Sequence, residues 1–254
     1  LGYDTNPVST NDIIAPFEKV VSQVPDVDEK YYKSNNKDEV IESFITVVTP
    51  LYTATVSNRS GGSLHEYTIT QRTAENYKYR GGYDEYGIYD NDIPVSLILP
   101  SENYCQPCLA VYNDYDDKYD FINIPFRLVS FSNISDTVFI GHGESIDLKY
   151  ILDGSDGGVL IQKTLSFSSD NFISNHDFTI NKDYFNYANS LEIIWAGGLR
   201  PSEKGLDEDV QYGSGIISQV GEIEDIQVTN PNKNIDRTIY NGHTDWAAVR
   251  TKYF

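Results

Sequence analysis

The sequence predicts a mainly β fold, an antiparallel β-sandwich or jelly-roll-like domain with a short N-terminal helical extension. Three observations carry that expectation. From about residue 51, short runs rich in Val, Ile, Thr, Tyr and Phe are broken by Gly, Asn, Asp and Pro at all-β spacing. Hydrophobic residues make up 39% and aromatics 13% of the 254 residues, which is ample for a packed core. No polar low-complexity linker divides the β region. Residues 51–254 therefore read as one β domain behind a helical or extended segment, 1–50. "SFSNISD", just before residue 140, is the place for any subdivision.

Taken in order, the first element is a helix in "NDIIAPFEKVVSQV". Its Ile13, Ile14, Phe17, Val20, Val21 and Val24 recur at helical spacing. Asn11 or Asp12 can cap it, and Pro16 falls in the first turn, where a missing N–H does no harm. A second helix is expected in "KDEVIESFITVV", where Val40, Ile41, Phe44, Val47 and Val48 share a face. Acids crowd its first turn and Pro50 stops it. Its β-branched tail makes a strand in "ITVVTPLYTATV" the competing reading.

Strands are expected at "LYTATV", "HEYTITQ", "PVSLIL", "INIPFRLVSFS", "DTVFIG", "SIDLKYIL", "GVLIQKTLSFS", "LEIIWAG", "GIISQVGEIEDIQV" and "RTIY". "ILDGSDGGVLI" reads as a hairpin, because Asp-Gly and Gly-Gly tolerate positive φ. Many such strands on one chain favour a sandwich or jelly roll.

The charge balance excludes whole classes of partner. Thirty-eight acids against 19 Lys and Arg give a formal net charge of -19, scattered along the chain. That field repels phosphate backbones and anionic membrane surfaces, and it attracts cations such as calcium. No apolar run of about twenty residues occurs, so no membrane span is expected. The chain opens at Leu1 and contains no Met, which reads as a processed product. Sequons at Asn58 and Asn133 carry little weight in a chain rich in Asn and Ser.

Cys105 and Cys108 in "YCQPC" lie in a turn-and-strand context, not at the start of a long helix, so a redox role is disfavoured. A structural zinc site needs two more ligands of comparable spacing, and no other Cys exists. The pair reads as a small turn, closed by a disulfide or reduced. His142 in "GHGES" lies beside Glu144 and could serve acid–base chemistry, but Gly141 and Gly143 already suffice for a tight turn. Neither a G-x-S-x-G elbow nor an H-E-x-x-H pair is present. "GGLRPSEKG" and "QYGSG" lack the features of phosphate loops and read as plain loops. The acids are too many to single out a glycosidase pair.

That leaves the acidic tyrosine segments "YKYRGGYDEYGIYDND" and "YNDYDDKYD". An EF-hand loop starting at Asp114 fails, because Lys118 stands at position five, Tyr119 at six and Pro125 at twelve. A looser calcium site on Asp116, Asp117 and Asp120 is the cofactor the composition admits. Tyr83, Tyr86, Tyr89, Tyr112, Tyr115 and Tyr119 offer rigid faces and wet hydroxyls for a sugar or a protein partner.

The expected function is a non-enzymatic extracellular, cell-surface or virion-surface protein. It would use Tyr/Asp/Asn loops for adhesion, for binding a glycan or protein partner, or for assembly with its own copies. A structural subunit of a virion or surface layer is the first alternative, with "DWAAVRTKYF" as a docking arm carrying Trp246, Tyr253 and Phe254. A secreted glycan-active enzyme is the second.

Overall fold

A computed structural model describes residues 40–84, 88–98, 105–113, 118–130, 135–154, 156–185, 190–195, 199–205, 212–227, 244–250 and 252. Among them the regular structure is almost entirely β, arranged in several sheets that are antiparallel apart from one pair. The first expected helix and the "RTIY" strand lie outside the described residues. So do Tyr86, Tyr115, Asp116, Asp117, Asn133, Tyr253 and Phe254.

The second expected helix is corrected in its described part. Residues 40–43 are not helical, and Phe44–Val48 form strand β1. Ile45, Thr46, Val47 and Val48 are β-branched, and strand pairing on both sides of β1 outweighs the helical spacing of the apolar set. β1 pairs antiparallel with β2 (Tyr52–Ser57), which pairs with β3 (Ser63–Ile69). Thr49 shapes the β1–β2 turn: its hydroxyl accepts from the Tyr52 N–H at 2.9 Å and donates to the Tyr52 carbonyl at 3.0 Å.

A small hairpin follows, β4 (Arg80–Tyr83) with β5 (Tyr89–Pro94). It replaces the loop expected of "YKYRGGYDEYGIYDND" in its described part. β6 (Ser96–Ile98) returns to β3. β7 (Cys108–Asn113) and β8 (Lys118–Phe121) form a second hairpin, with Tyr112 opposite Tyr119 and Val111 opposite Asp120. "YNDYDDKYD" is thus two strand ends and their connection.

In its described part "INIPFRLVSFS" yields the two-residue β9 (Arg127–Leu128). Pro125 interrupts it, and its neighbours are used elsewhere: the Ile124 carbonyl accepts from Ser60 N, and Phe126 N donates to Asn58 O. β10 (Thr137–Phe139) adds in parallel to β1. β11 (Ser145–Asp153) and β12 (Val159–Ser168) make the expected hairpin, and β13 (Ser174–Ile180) extends it.

The 3-10 turn Lys182–Phe185 drops Phe185 into the core, and β14 (Ser190–Ile194) pairs with β7. "GIISQVGEIEDIQV" is not one strand but two, β15 (Ser214–Gln219) and β16 (Glu222–Gln227). They turn at Val220 and Gly221, both at positive φ. β17 (Trp246–Arg250) pairs with the other edge of β15, so the "DWAAVR" segment is a strand of this chain.

The five-stranded sheet runs β10-β1-β2-β3-β6 and the four-stranded sheet β13-β12-β11-β9. One cluster of buried apolar residues takes Val47, Ala54 and Val56 from the first and Leu148, Ile161 and Leu165 from the second. Leu109 and Val111 join it from the sheet β14-β7-β8. Alternation explains this directly, since Leu148, Tyr150 and Leu152 of β11 and Ile161, Lys163, Leu165 and Phe167 of β12 are buried at every second position. Residues before and after position 140 share the same cluster. At its edge Tyr52 and Tyr67 stack with centroids 4.7 Å apart, and the Tyr52 hydroxyl donates to the Ser168 carbonyl at 3.0 Å. Burial pushes the Tyr52 phenol up to about 12, so it stays a donor throughout the physiological range.

Asn58 is buried at the β2–β3 turn. Its Nδ2 donates to the Ile41 and Phe126 carbonyls at 3.0 and 3.2 Å, and its Oδ1 accepts from Ser43 N at 2.9 Å. Its amide has no free N–H for a glycan, so this sequon is structural. Among the described residues no helix is long and apolar enough to cross a membrane.

Candidate functional site

Two places concentrate polar chemistry, one inside the core and one open to solvent. The inner one is built on Lys163, which occupies an inward position of β12 between Ile161 and Leu165 and is fully buried. Its Nζ donates to the carbonyls of Pro107, Gly62 and Ser60 at 2.7, 2.9 and 3.2 Å and stands 4.8 Å from the Phe178 ring centroid.

Burial pulls the amine's pKa well below its usual value. The three carbonyls oppose that pull, because only the ammonium has three N–H donors to give them. Gly62 sits at φ +100°, and a Cβ there would come within 2.6 Å of a Leu165 methyl, so only glycine brings this carbonyl to Lys163.

The Pro107 carbonyl belongs to the "CQPC" turn, which the Cys105–Cys108 disulfide closes with both cysteines buried. Gln106 fixes that turn to β3, its N–H donating to Ser63 Oγ at 3.0 Å and its carbonyl accepting from Leu64 N at 2.9 Å. His176 on β13 lies near Lys163. Its Nε2 is 3.2 Å from Ser174 Oγ, while its Nδ1 is buried with no hydrogen-bond partner among the described residues. Burial, reinforced by the Lys163 charge, holds its pKa well below the ordinary histidine value.

The outer place is a cleft of about 630 Å³ at the β3–β5 end of the molecule. Ile69 and Val95, both buried, make its apolar floor. Tyr79, Tyr89 and Phe172 line it, and Lys78, Arg80 and Glu203 bring charge to its edge.

Each wall has its own support. Phe172 lies between β12 and β13, and its carbonyl accepts the Tyr67 hydroxyl at 2.7 Å. Tyr79 stands edge-on to Phe172, with centroids 6.3 Å apart at 86°, and Tyr52 approaches Phe172 at 6.5 Å. An aromatic chain therefore runs from the core to the cleft. The loop carrying Tyr77 and Tyr79 is tied by Lys78 N to the Gln71 carbonyl at 2.7 Å and by the turn from Thr73 to Asn76.

Tyr89 lies across Gly81, whose φ is +110°; a Cβ at that position would sit 2.5 Å from the Tyr89 hydroxyl oxygen. That hydroxyl donates to the Ser202 carbonyl at 3.3 Å and the Tyr83 hydroxyl to the Lys204 carbonyl at 3.1 Å. The Arg200 guanidinium donates to the Tyr83 carbonyl, and Glu203 pairs with Lys252 at 3.0 Å. Segment 199–205 is thereby bound onto the β4–β5 hairpin as the far side of the cleft.

The structure divides the sequence-predicted residues. Tyr89 lines the cleft, while Tyr83 is buried beneath it as a structural donor. Tyr112 and Tyr119 are register partners in the β7–β8 hairpin, in a different sheet from β4–β5, and Asp120 follows Tyr119 in β8. Cys105 and Cys108 are bonded and serve the Lys163 site. In "GHGES" the Glu144 carboxylate accepts from Gly141 N at 2.6 Å, capping the turn, and His142 is exposed. Among the described residues no group of three or more His, Cys, Asp and Glu side chains could hold a metal ion.

Lys78, Tyr79, Arg80, Phe172 and Glu203 were not singled out in the sequence. The signal for three of them was the alternation "YKYR", basic and aromatic by turns, at the start of a segment read as acidic. No protein-family model matches this chain, and comparisons with curated proteins and with solved structures likewise find no match.

Proposed function

We propose that this chain is a non-enzymatic extracellular or particle-surface protein of β-sandwich type that binds a glycan. The cleft carries the reading. Flat aromatic walls over an apolar floor suit the C–H face of a pyranose, and convergent polar groups at the rim suit its hydroxyls. Two sheets contributing to one core support the sandwich. A buried disulfide supports an oxidising compartment.

The test is binding of a panel of neutral and acidic oligosaccharides, measured by calorimetry on wild type and Tyr79→Ala. At least one glycan should bind, and loss of the Tyr79 ring should weaken it about tenfold or more at unchanged melting temperature. No binding across the panel, or binding indifferent to Tyr79, sinks the reading.

A second reading, a subunit of an ordered assembly, has one observation in its favour. The β16-β15-β17 sheet exposes Ile223 (65%) and Trp246 (46%), which flank Ser218 from its two neighbouring strands. Light scattering distinguishes it: a monomer at tens of micromolar removes it.

A further inference from the structure

Resting on the glycan-binding reading of the same cleft, we infer that its ligand is a pyranose carrying a single ring carboxylate, held by Lys78 and Arg80. The sequence around the cleft departs from the rest of the chain. Residues 71–82, "QRTAENYKYRGG", carry Arg72, Lys78 and Arg80 against one acid, Glu75, in a protein of net charge -19. Cations in so acidic a protein are normally consumed by acids nearby, and these largely are not.

Lys78 is exposed, lies 5.1 Å from the Tyr79 ring centroid, and makes no ion pair among the described residues. Arg80 has one nitrogen 3.2 Å from Asp92 Oδ1, with the two side chains 42% and 82% exposed. A surface pair of that kind is worth little, and the remaining N–H donors of the guanidinium fork stay available to a carboxylate. The acid that lines the cleft, Glu203, is neutralised by Lys252. The cleft thus ends with cationic donors above an aromatic wall, which is the complement of a sugar with one apolar face and one anionic substituent.

The surrounding field narrows the class further. Beyond about 8 Å of screening length the ligand meets the acidic body of the protein. A single carboxylate fits inside the local positive region, whereas a polysulfated or polyphosphate chain extends into repulsion. Uronic acids and sialic acids share the required chemistry, and the experiment separates them.

The probes are a glucuronate-terminated oligosaccharide, a sialylated oligosaccharide, the same two with the carboxylate reduced to the alcohol, and heparin. Titrated against wild-type protein at low salt, at least one acid should bind about tenfold more tightly than its own alcohol. Raising the salt should erode that preference. Lys78→Gln and Arg80→Gln should each cut the preference to about threefold or less, weakening the acid more than its alcohol. Whichever acid binds identifies the source.

Acid and alcohol binding equally overturns the carboxylate and leaves the glycan reading standing. Heparin binding more tightly than either acid overturns the single-charge selection. Binding of none overturns both readings. The comparison of acid with alcohol uses wild-type protein alone, so it stands whether or not a variant folds.

Discussion

Lys163 and Lys78 are the same chemical group beside the same kind of partner, an aromatic ring about 5 Å away, yet they do opposite things. Lys163 stands 4.8 Å from Phe178 with all three donors taken by carbonyls of its own chain. Lys78 stands 5.1 Å from Tyr79 at the edge of an open cleft, with its donors facing water. The difference lies in what surrounds the ammonium. Where the backbone supplies the acceptors, the lysine is a structural tie; where it does not, the donors are left to water or to a ligand. A cation near a ring therefore says nothing about function until its remaining hydrogen bonds have been traced.

The sharpest way to break this contrast is Lys163→Met. The variant is one heavy atom shorter than lysine and removes the three donors that the Ser60, Gly62 and Pro107 carbonyls accept from. Each buried carbonyl that loses a donor costs about 1–3 kcal/mol, so urea unfolding should show a loss of about 3 kcal/mol or more. A stability equal to wild type would mean that the tie is ornamental. Lys78→Met, made in parallel, should change the unfolding free energy by no more than about 0.5 kcal/mol.

Next in size is the disulfide. Cys105 and Cys108 close a loop of only four residues, for which the chain-entropy argument gives about 2 kcal/mol. Cys105→Ala with Cys108→Ala should lose about that much. It should also couple to Lys163→Met, because the bridge positions the Pro107 carbonyl that Lys163 holds. A double-mutant cycle should give a non-zero interaction energy, and strict additivity would separate the bridge from the lysine.

This inner site shows how far the sequence could be read. The alternation of "GVLIQKTLSFS" marks Ile161, Lys163, Leu165 and Phe167 as one face, so a charged residue in a core frame was visible. Its role was not, because the carbonyls that accept from it lie 103, 101 and 56 positions away in the chain. The long hairpin of β11 and β12 was legible from local pattern alone. The parallel β1–β10 pair was not, since its register depends on the whole sheet.

The β4–β5 hairpin failed for another reason. Gly81, Gly82, Asp90, Asn91 and Asp92 have poor strand propensity, and the pairing is held from outside by segment 199–205. The cleft inherits that blindness: its Tyr79, Phe172 and Glu203 meet only after three separate stretches of chain have docked.

A smaller effect comes from His176. Its folded pKa is depressed, so between that value and the ordinary 6.5 the unfolded chain binds a proton that the folded chain refuses. Stability contributed by this group is therefore complete above about pH 6.5 and falls as the pH drops through that window, by at most about 1.4 kcal/mol per pH unit. His176→Leu should flatten the slope between pH 5 and 6.5 relative to wild type. At neutral pH it should cost about 1 kcal/mol, for the lost Nε2 bond to Ser174 Oγ, since Nδ1 has no hydrogen-bond partner among the described residues. An unchanged slope would assign the acid sensitivity to the carboxylates.

The smallest expected change is the most telling for the outer site. Tyr79 is 38% exposed and makes ring contacts with Phe172 and Lys78, but no side-chain hydrogen bond among the described residues. Tyr79→Ala should lower the unfolding free energy by less than about 1 kcal/mol, in contrast to any change at Tyr67, whose ring is buried and whose hydroxyl holds Phe172. A loss of several kcal/mol at Tyr79 would mean that the ring is structural after all, and the cleft would then resemble the Lys163 site rather than oppose it. A near-neutral result leaves an exposed aromatic wall, held in place by Tyr67 and Gly81 from beneath, that the fold itself does not need. Such a wall is what remains for a ligand to use.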